Sequence, residues 1–280
     1  MLKLQIVSDL HLEFWDKKQK FNFIKPSAPI LALLGDICCC SDDEDFAIFE
    51  RFIKEILPLY ELIIMISGNH EYYTNKKNNI TYANTMHSID DRIKLFFKST
   101  SPKLHYLNNN TLKITANNQD YTIIGSTLWS WIPESERKTI TESMNDYQYI
   151  QFYDNEKIRK LNANDVATLH LKNYRYIKMQ INKAKKLNHK IIVLTHHKPY
   201  LSANYNSSSL DVAYESDLSD LFISPVLLWG YGHTHVADNS LQGASNSLQV
   251  TSNHKTILYS NPKGYPNQKT KFNKSAIITL

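Results

Sequence analysis

Five short apolar runs, LKLQIVSDLH, ILALLGD, LIIMISGNHE, KIIVLTHH and LLWGYGHTH, each pass directly into aspartate, glycine, asparagine or histidine. Stretches of about four to six residues rich in isoleucine, leucine and valine have the length and make-up of strands buried on both faces of a layered α/β domain. Polar chemistry then collects at the C-terminal ends of the strands, at one edge of the sheet.

Helical patterns lie between the runs. Ser41 or Asp42 can cap a helix, with Asp43, Glu44 and Asp45 near the positive end of its dipole. Phe46, Phe49, Phe52/Ile53 and Ile56/Leu57 follow at helical spacing until Pro58 stops the run, so the acidic cluster reads as a helix start rather than a metal cage. A second helix is expected from about Asp165 to Leu187, with Val166, Leu169, Ile177, Ile181, Ala184 and Leu187 on one face. Its Lys178, Lys183, Lys185 and Lys186 form a solvated face, with a nucleic-acid patch as the alternative. Residues 104–125 read as a strand pair around the polar turn Ala116 to Asp120, and the tail from Leu248 holds KTILYS and SAIITL around the loop NPKGYPNQ. The order implies a sheet-based core with an appended antiparallel part, in one domain spanning 1–280.

With 280 residues, 42% of them hydrophobic, the chain is long enough for one large core. A net charge of +5 accommodates an anionic substrate without demanding a nucleic-acid partner. The three cysteines are consecutive, Cys38, Cys39 and Cys40, which disfavours disulfides and points to a reducing setting. The N-terminal apolar stretch ends by Val7, too short for a signal peptide, and no run approaches about 18 apolar residues. A cytoplasmic protein with no membrane span is expected; a specialised export route stays open.

The strand ends, in order, are Asp9-Leu-His11, Gly35-Asp36, Gly68-Asn69-His70-Glu71, His196-His197 and Gly232-His233-Thr-His235. One aspartate or histidine after a strand is usually a cap or a satisfied polar group. Five such endings at one edge are hard to explain that way. In an extended segment residues i and i+2 project to the same side, so Asp9 with His11, and His233 with His235, can point at one site. With Asp36, Asn69 and His196 they offer carboxylate, amide oxygen and imidazole, enough for two cations about 3.5–4 Å apart sharing a carboxylate.

The blocks DxH, GD, GNH(D/E), a strand-end H and GHxH, in this order, resemble those of the calcineurin-like metallophosphoesterase superfamily. GSTLWSW, NDY, YESDL and NPKGY look similar to segments of its small bacterial members, which extends the resemblance over nearly the whole chain. The resemblance implies a four-layer αββα sandwich: two mixed sheets flanked by helices. It implies one metal ion on Asp9, His11, Asp36 and His235, and a second on Asp36, Asn69, His196 and His233. Asp36 would bridge the ions, a hydroxide between them would attack phosphorus, and His70 would act as acid or transition-state stabiliser. The donor set favours manganese, iron, nickel or zinc.

The family often shows GDxxD, but here the last position is Cys39, which puts local support of the site in question. The cysteines are expected to pack rather than ligate. His197 is expected near the site or against substrate; His87, His105, His170, His189 and His254 have no partner spacing and read as surface or structural residues. Trp129 to Pro133 either line the substrate mouth or fill a core beneath a loop. Arg51, Arg92, Arg137, Arg159 and Arg175 all fall outside the motifs, so no arginine clamp for a terminal phosphate is evident. The expected function is a dinuclear-metal phosphoesterase acting on phosphomonoesters or phosphodiesters of a small-molecule or nucleotide-like kind, with the oligomeric state open. A nuclease acting on DNA or RNA and a non-catalytic protein-binding scaffold are the alternatives.

Overall fold

The computed structural model describes residues 1–16, 20–74, 81–242 and 255–280. Residues 248–254 of the tail, His254 included, lie outside the described residues. In chain order the strands are β1 (Lys3–Val7), β2 (Ile30–Leu34), β3 (Leu62–Ile66), β4 (Leu104–Tyr106), β5 (Asn110–Ala116), β6 (Gln119–Ser126), β7 (Gln151–Tyr153), β8 (Ile158–Lys160), β9 (Lys190–Thr195), β10 (Val226–Tyr231), β11 (Asp238–Gln242), β12 (Thr256–Ser260) and β13 (Ile278–Thr279). The helices are α1 (Asp43–Ile56), α2 (Met86–Thr100), α3 (Arg137–Ser143), α4 (Asp146–Tyr149) and α5 (Ala163–Lys186).

Two large mixed sheets pack face to face, ordered β13-β1-β2-β3-β4 and β11-β12-β10-β9-β6-β5. Within β1, β2, β3 and β9 the side chains alternate between two cores, as the two-residue period of a strand requires. Leu4, Ile6, Ile30, Ala32, Leu34, Ile64 and Ile66 meet Ile123, Ile192, Leu194 and Leu228 between the sheets. Val7, Leu31, Leu33, Ile63 and Met65 face outward against Phe49, Phe52 and Ile53 of α1 and Ile89, Ile93 and Phe97 of α2. On the opposite side Ile191, Val193 and Trp229 meet Ile177, Ile181 and Ala184 of α5. Two helical layers thus enclose two sheets, the expected αββα order, and double-sided burial explains why the strands read as unbroken apolar runs.

Asp42 caps α1 by accepting from the Asp45 amide at 2.9 Å, so the acidic cluster is a helix start. Helix α5 begins at Ala163, earlier than Asp165, because Asn162 forms a capping box in which the Asp165 carboxylate accepts from the Asn162 amide at 3.0 Å. The segment 104–125 holds the expected strand pair around the polar turn and one strand more. β4 joins the edge of the first sheet beside β3, whereas β5 and β6 form a hairpin in the second sheet. The hairpin closes on Asn117 and Asn118 alone, at φ 51° and 61°, the left-handed pair that a tight two-residue turn needs. Among the described residues the tail forms no separate antiparallel unit: β12 runs parallel to β10 in the second sheet, while β13 closes the edge of the first by pairing antiparallel with β1. No helix among the described residues is long and apolar enough to cross a membrane.

Candidate metal centre

The C-terminal ends of β1, β2 and β3 meet those of β9 and β10. The side chains expected from the sequence converge in two groups, Asp9 with His11 and His235, and Asp36 with His196 and His233, whose donor atoms lie within 4.8 Å of one another in each group. Asp36 reaches both. Its Oδ2 is 3.8 Å from His11 Nε2 and its Oδ1 is 3.3 Å from His196 Nε2. Asn69 Oδ1 lies 3.1 Å from His196 Nε2 and so completes the second group.

The i, i+2 pairs converge for a reason other than extended backbone. Asp9, His11, Asp36, His233 and His235 have φ of 56°, 49°, 53°, 68° and 53°, all left-handed. Such a conformation costs an L-residue about 1 kcal/mol or more, less for Asp and His than for branched residues. It turns each chain sharply at the strand end, and backbone bonds hold it there: the His11 amide donates to Asp36 O at 2.9 Å and the Asp9 amide to Gly35 O at 3.0 Å. Both Asp9 carboxylate oxygens also accept from the His233 amide, at 3.0 and 3.2 Å. At Gly68 the constraint is space, since a Cβ there would sit 2.2 Å from Asp36 Oδ1.

Three of the four expected imidazole ligands are locked from behind. His196 Nδ1 donates to Leu34 O at 2.8 Å, His235 Nδ1 lies 2.7 Å from Gln268 Oε1, and His11 Nδ1 lies 3.3 Å from Glu13 Oε1. Each bond leaves Nε2 as the free lone pair, the usual arrangement of a metal-bound histidine. The Nε2 atoms of His11 and His235 then face each other at 3.1 Å, an opposition of lone pairs that a cation resolves. His233 Nε2 is buried with no hydrogen-bond partner among the described residues. These observations fit a pair of divalent ions.

Burial raises the Asp36 carboxyl, but the charges of His196 and His70 override it and hold the group well below the usual range. Burial lowers His196 and His70, yet Asp36 brings them to about 10 and about 9. His233 is driven down by burial and then by His197 and His196. In the absence of an ion, the buried carboxylates pair with the imidazoles of His196 and His235, while His233 stays neutral.

His70 follows Asn69. Its amide donates to Asp36 Oδ1 at 2.9 Å, its ring stacks on Tyr73 at 4.1 Å, and its Nε2 lies 3.3 Å from the Tyr265 hydroxyl. Glu71 accepts the amides of Asp36, Ile37 and Gly68 at 2.9, 2.7 and 2.7 Å, tying the turns after β2 and β3 together. A cleft of about 470 Å³ opens over the site, lined by Tyr73, Met144, Asp146, Leu210, Tyr214 and Tyr265 among others.

Glu13, Asp146 and Gln268 carry no role in the sequence reading, although Glu13 extends the alternation Asp9, His11, Glu13, which was its visible signal. Cys38, Cys39 and Cys40 are free and buried, and belong to neither donor group. His197 is buried beside His233, with ring centroids 4.1 Å apart. Trp129 packs in the core, whereas Trp131 is partly exposed with the Arg137 guanidinium 5.8 Å above its ring; neither lines the cleft, so the substrate-mouth reading of this stretch does not hold. His170 is structural, its Nδ1 donating to Trp129 O at 3.0 Å. The lysine face of α5 borders no part of the cleft, and Lys178 pairs with Asp220 at 3.2 Å.

Comparison with known proteins agrees with this geometry. The sequence pattern of the family described as calcineurin-like phosphoesterase matches residues 2–237. "Uncharacterized protein L509" of Acanthamoeba polyphaga mimivirus is 32% identical over 303 residues, covering 99% of this chain and 96% of that protein. The crystal structure of phosphopantetheinyl hydrolase (PptH) from Mycobacterium tuberculosis superposes with a TM-score of 0.64 at 14% identity, over 94% of this chain and 90% of that one, which is a likeness of fold. The chain belongs to the calcineurin-like phosphoesterase family and is a metal-dependent phosphoester hydrolase.

Proposed function

We propose that the protein hydrolyses phosphate esters at a dinuclear centre in which Asp9, His11, Asp36 and His235 hold one divalent cation and Asp36, Asn69, His196 and His233 hold the other. Manganese, iron, zinc and nickel suit this mixture of carboxylate, amide and imidazole donors. Bound there, two such ions supply charge neutralisation for the phosphoryl oxygens and a water acidified toward neutral pH.

The observation that carries the reading is the placement of Asp36, whose two oxygens face His11 on one side and His196 on the other. The remaining steps fall to the chain. His70 Nε2 stands at the cleft beside the Tyr265 hydroxyl, where it can give a proton to the departing oxygen. Tyr73, Tyr214, Tyr265, Met144 and Leu210 provide flat or apolar walls for the organic part of a phosphorylated small molecule or nucleotide-like substrate. The domain acts as one unit over 1–280, and three free buried thiols favour a reducing, cytoplasmic setting.

The test joins metal analysis to turnover of nitrophenyl phosphate and bis-nitrophenyl phosphate, with each of the four ions supplied in turn. Two ions per chain and hydrolysis of at least one ester are expected. A folded protein that binds a single ion, or turns over neither ester with any of the four, overturns the reading.

A further inference from the structure

We propose that Glu13 is the positioning residue of this site, one carboxylate oxygen holding the imidazoles of both His11 and His70 so that each presents Nε2 to the centre. The inference rests on the role given to His70 above. Glu13 Oε1 lies 3.0 Å from His70 Nδ1 and 3.3 Å from His11 Nδ1, and the two rings meet edge-on at 4.4 Å. A carboxylate oxygen has lone pairs enough for both donors. The side chain is only 6% exposed, and Oε2 is buried with no hydrogen-bond partner among the described residues.

The backbone places it there. His11, left-handed at φ 49°, leads into the single 3-10 turn Leu12–Phe14, which folds Glu13 back beneath His11 and toward His70 on the next loop but one. Both Nδ1 atoms lie within hydrogen-bond distance of the same Glu13 oxygen, which can accept from both rings. Cys39, at the position where the family pattern often has aspartate, is a buried thiol raised by burial and then by the Glu13 charge. That flank of the site therefore draws its negative charge from β1's loop instead of β2's. His11, Glu13 and His70 also form a donor group of metal-binding size.

The experiment compares Glu13→Met, which keeps the reach and removes both oxygens, with Glu13→Gln, which restores an acceptor, in the full chain. At saturating manganese, Glu13→Met is expected to lower kcat about 10- to 100-fold with little change in KM. Glu13→Gln is expected to recover most of the loss, and Glu13→Met added to His70→Ala should cost less than threefold more. Metal content should stay equal to that of the parent. Independently of turnover, long-range 15N–1H spectra of the metal-free protein, recorded at a pH where the imidazole is neutral, should show the His70 ring, assigned by its absence in His70→Ala, protonated at Nδ1 in the parent and mixed in tautomer in Glu13→Met. An unchanged His70 signal, effects that multiply with those of His70→Ala, no recovery in Glu13→Gln, or loss of one ion per chain overturns the proposal. Absence of turnover in the parent itself is the failure of the phosphoesterase reading, and leaves the imidazole spectra to decide on Glu13.

Discussion

Asn69 is held by Asp146, its Nδ2 donating to Asp146 Oδ1 at 2.8 Å, and this bond is what turns Asn69 Oδ1 toward His196. The Tyr73 hydroxyl donates to the same oxygen at 2.5 Å. Without that anchor the amide can rotate and present nitrogen, which no cation accepts as a ligand. Asp146→Ala is expected to weaken binding of the second cation about 10- to 100-fold while sparing the first. Calorimetric titration with manganese, resolved into two binding steps, checks it; equal weakening of both steps counts against the assignment.

Gly68 is the tightest point of the site. A methyl there meets Asp36 Oδ1 at 2.2 Å and His196 Nε2 at 2.7 Å, so one of them has to move. Because displacement of a reacting group by about 1 Å can cost on the order of 100-fold in rate, Gly68→Ala should lose activity on that scale. Turnover at saturating metal measures it, and circular dichroism confirms that the strands persist.

Glu71 has a different kind of task. Three backbone amides from two loops converge on its carboxylate, and an amide in its place would turn an N–H group toward at least one of them. A buried donor left unmet costs about 1–3 kcal/mol. Glu71→Gln is therefore expected to destabilise the fold by about 2 kcal/mol or more, read by urea unfolding.

His170 ties stability to pH at a distance from the expected ligands. Burial lowers its pKa from the ordinary value near 6.5, more than the Trp129 and Leu128 carbonyls raise it. The unfolded chain thus takes up a proton below about pH 6.5 that the fold resists, and stability falls as the pH drops through that window. In His170→Asn, whose amide can still donate to Trp129 O, the decline between pH 7.5 and pH 5.5 should be smaller than in the parent. Urea unfolding at the two pH values decides; equal slopes refute it.

The strands and the side chains gathered at the candidate site were legible for the same reason. A strand covered on both faces has to be apolar throughout, so where Ile66 or Thr195 gives way to Asn69 or His196 the polar residue stands out at the sheet edge. What the sequence did not display depends on chain segments far apart. Gln268 reaches His235 across 33 positions and Asp146 reaches Asn69 across 77, with no local spacing to announce either. Glu13 was close enough to see, but a carboxylate after a histidine reads as surface charge until the turn that buries it is known. The strand pair expected within 104–125 is β5 with β6, whereas Leu104–Tyr106 is a further strand beside β3, a pairing across the chain that no local pattern announces.

Both sheets contribute to each group of donors. Asp9, His11, Asp36 and Asn69 come from the ends of the first sheet, and His196, His233 and His235 from the second, so neither proposed ion can be coordinated from one sheet alone. A captured cation would act as a rivet through the sandwich, and chelators should then speed the parting of its halves as well as stop turnover.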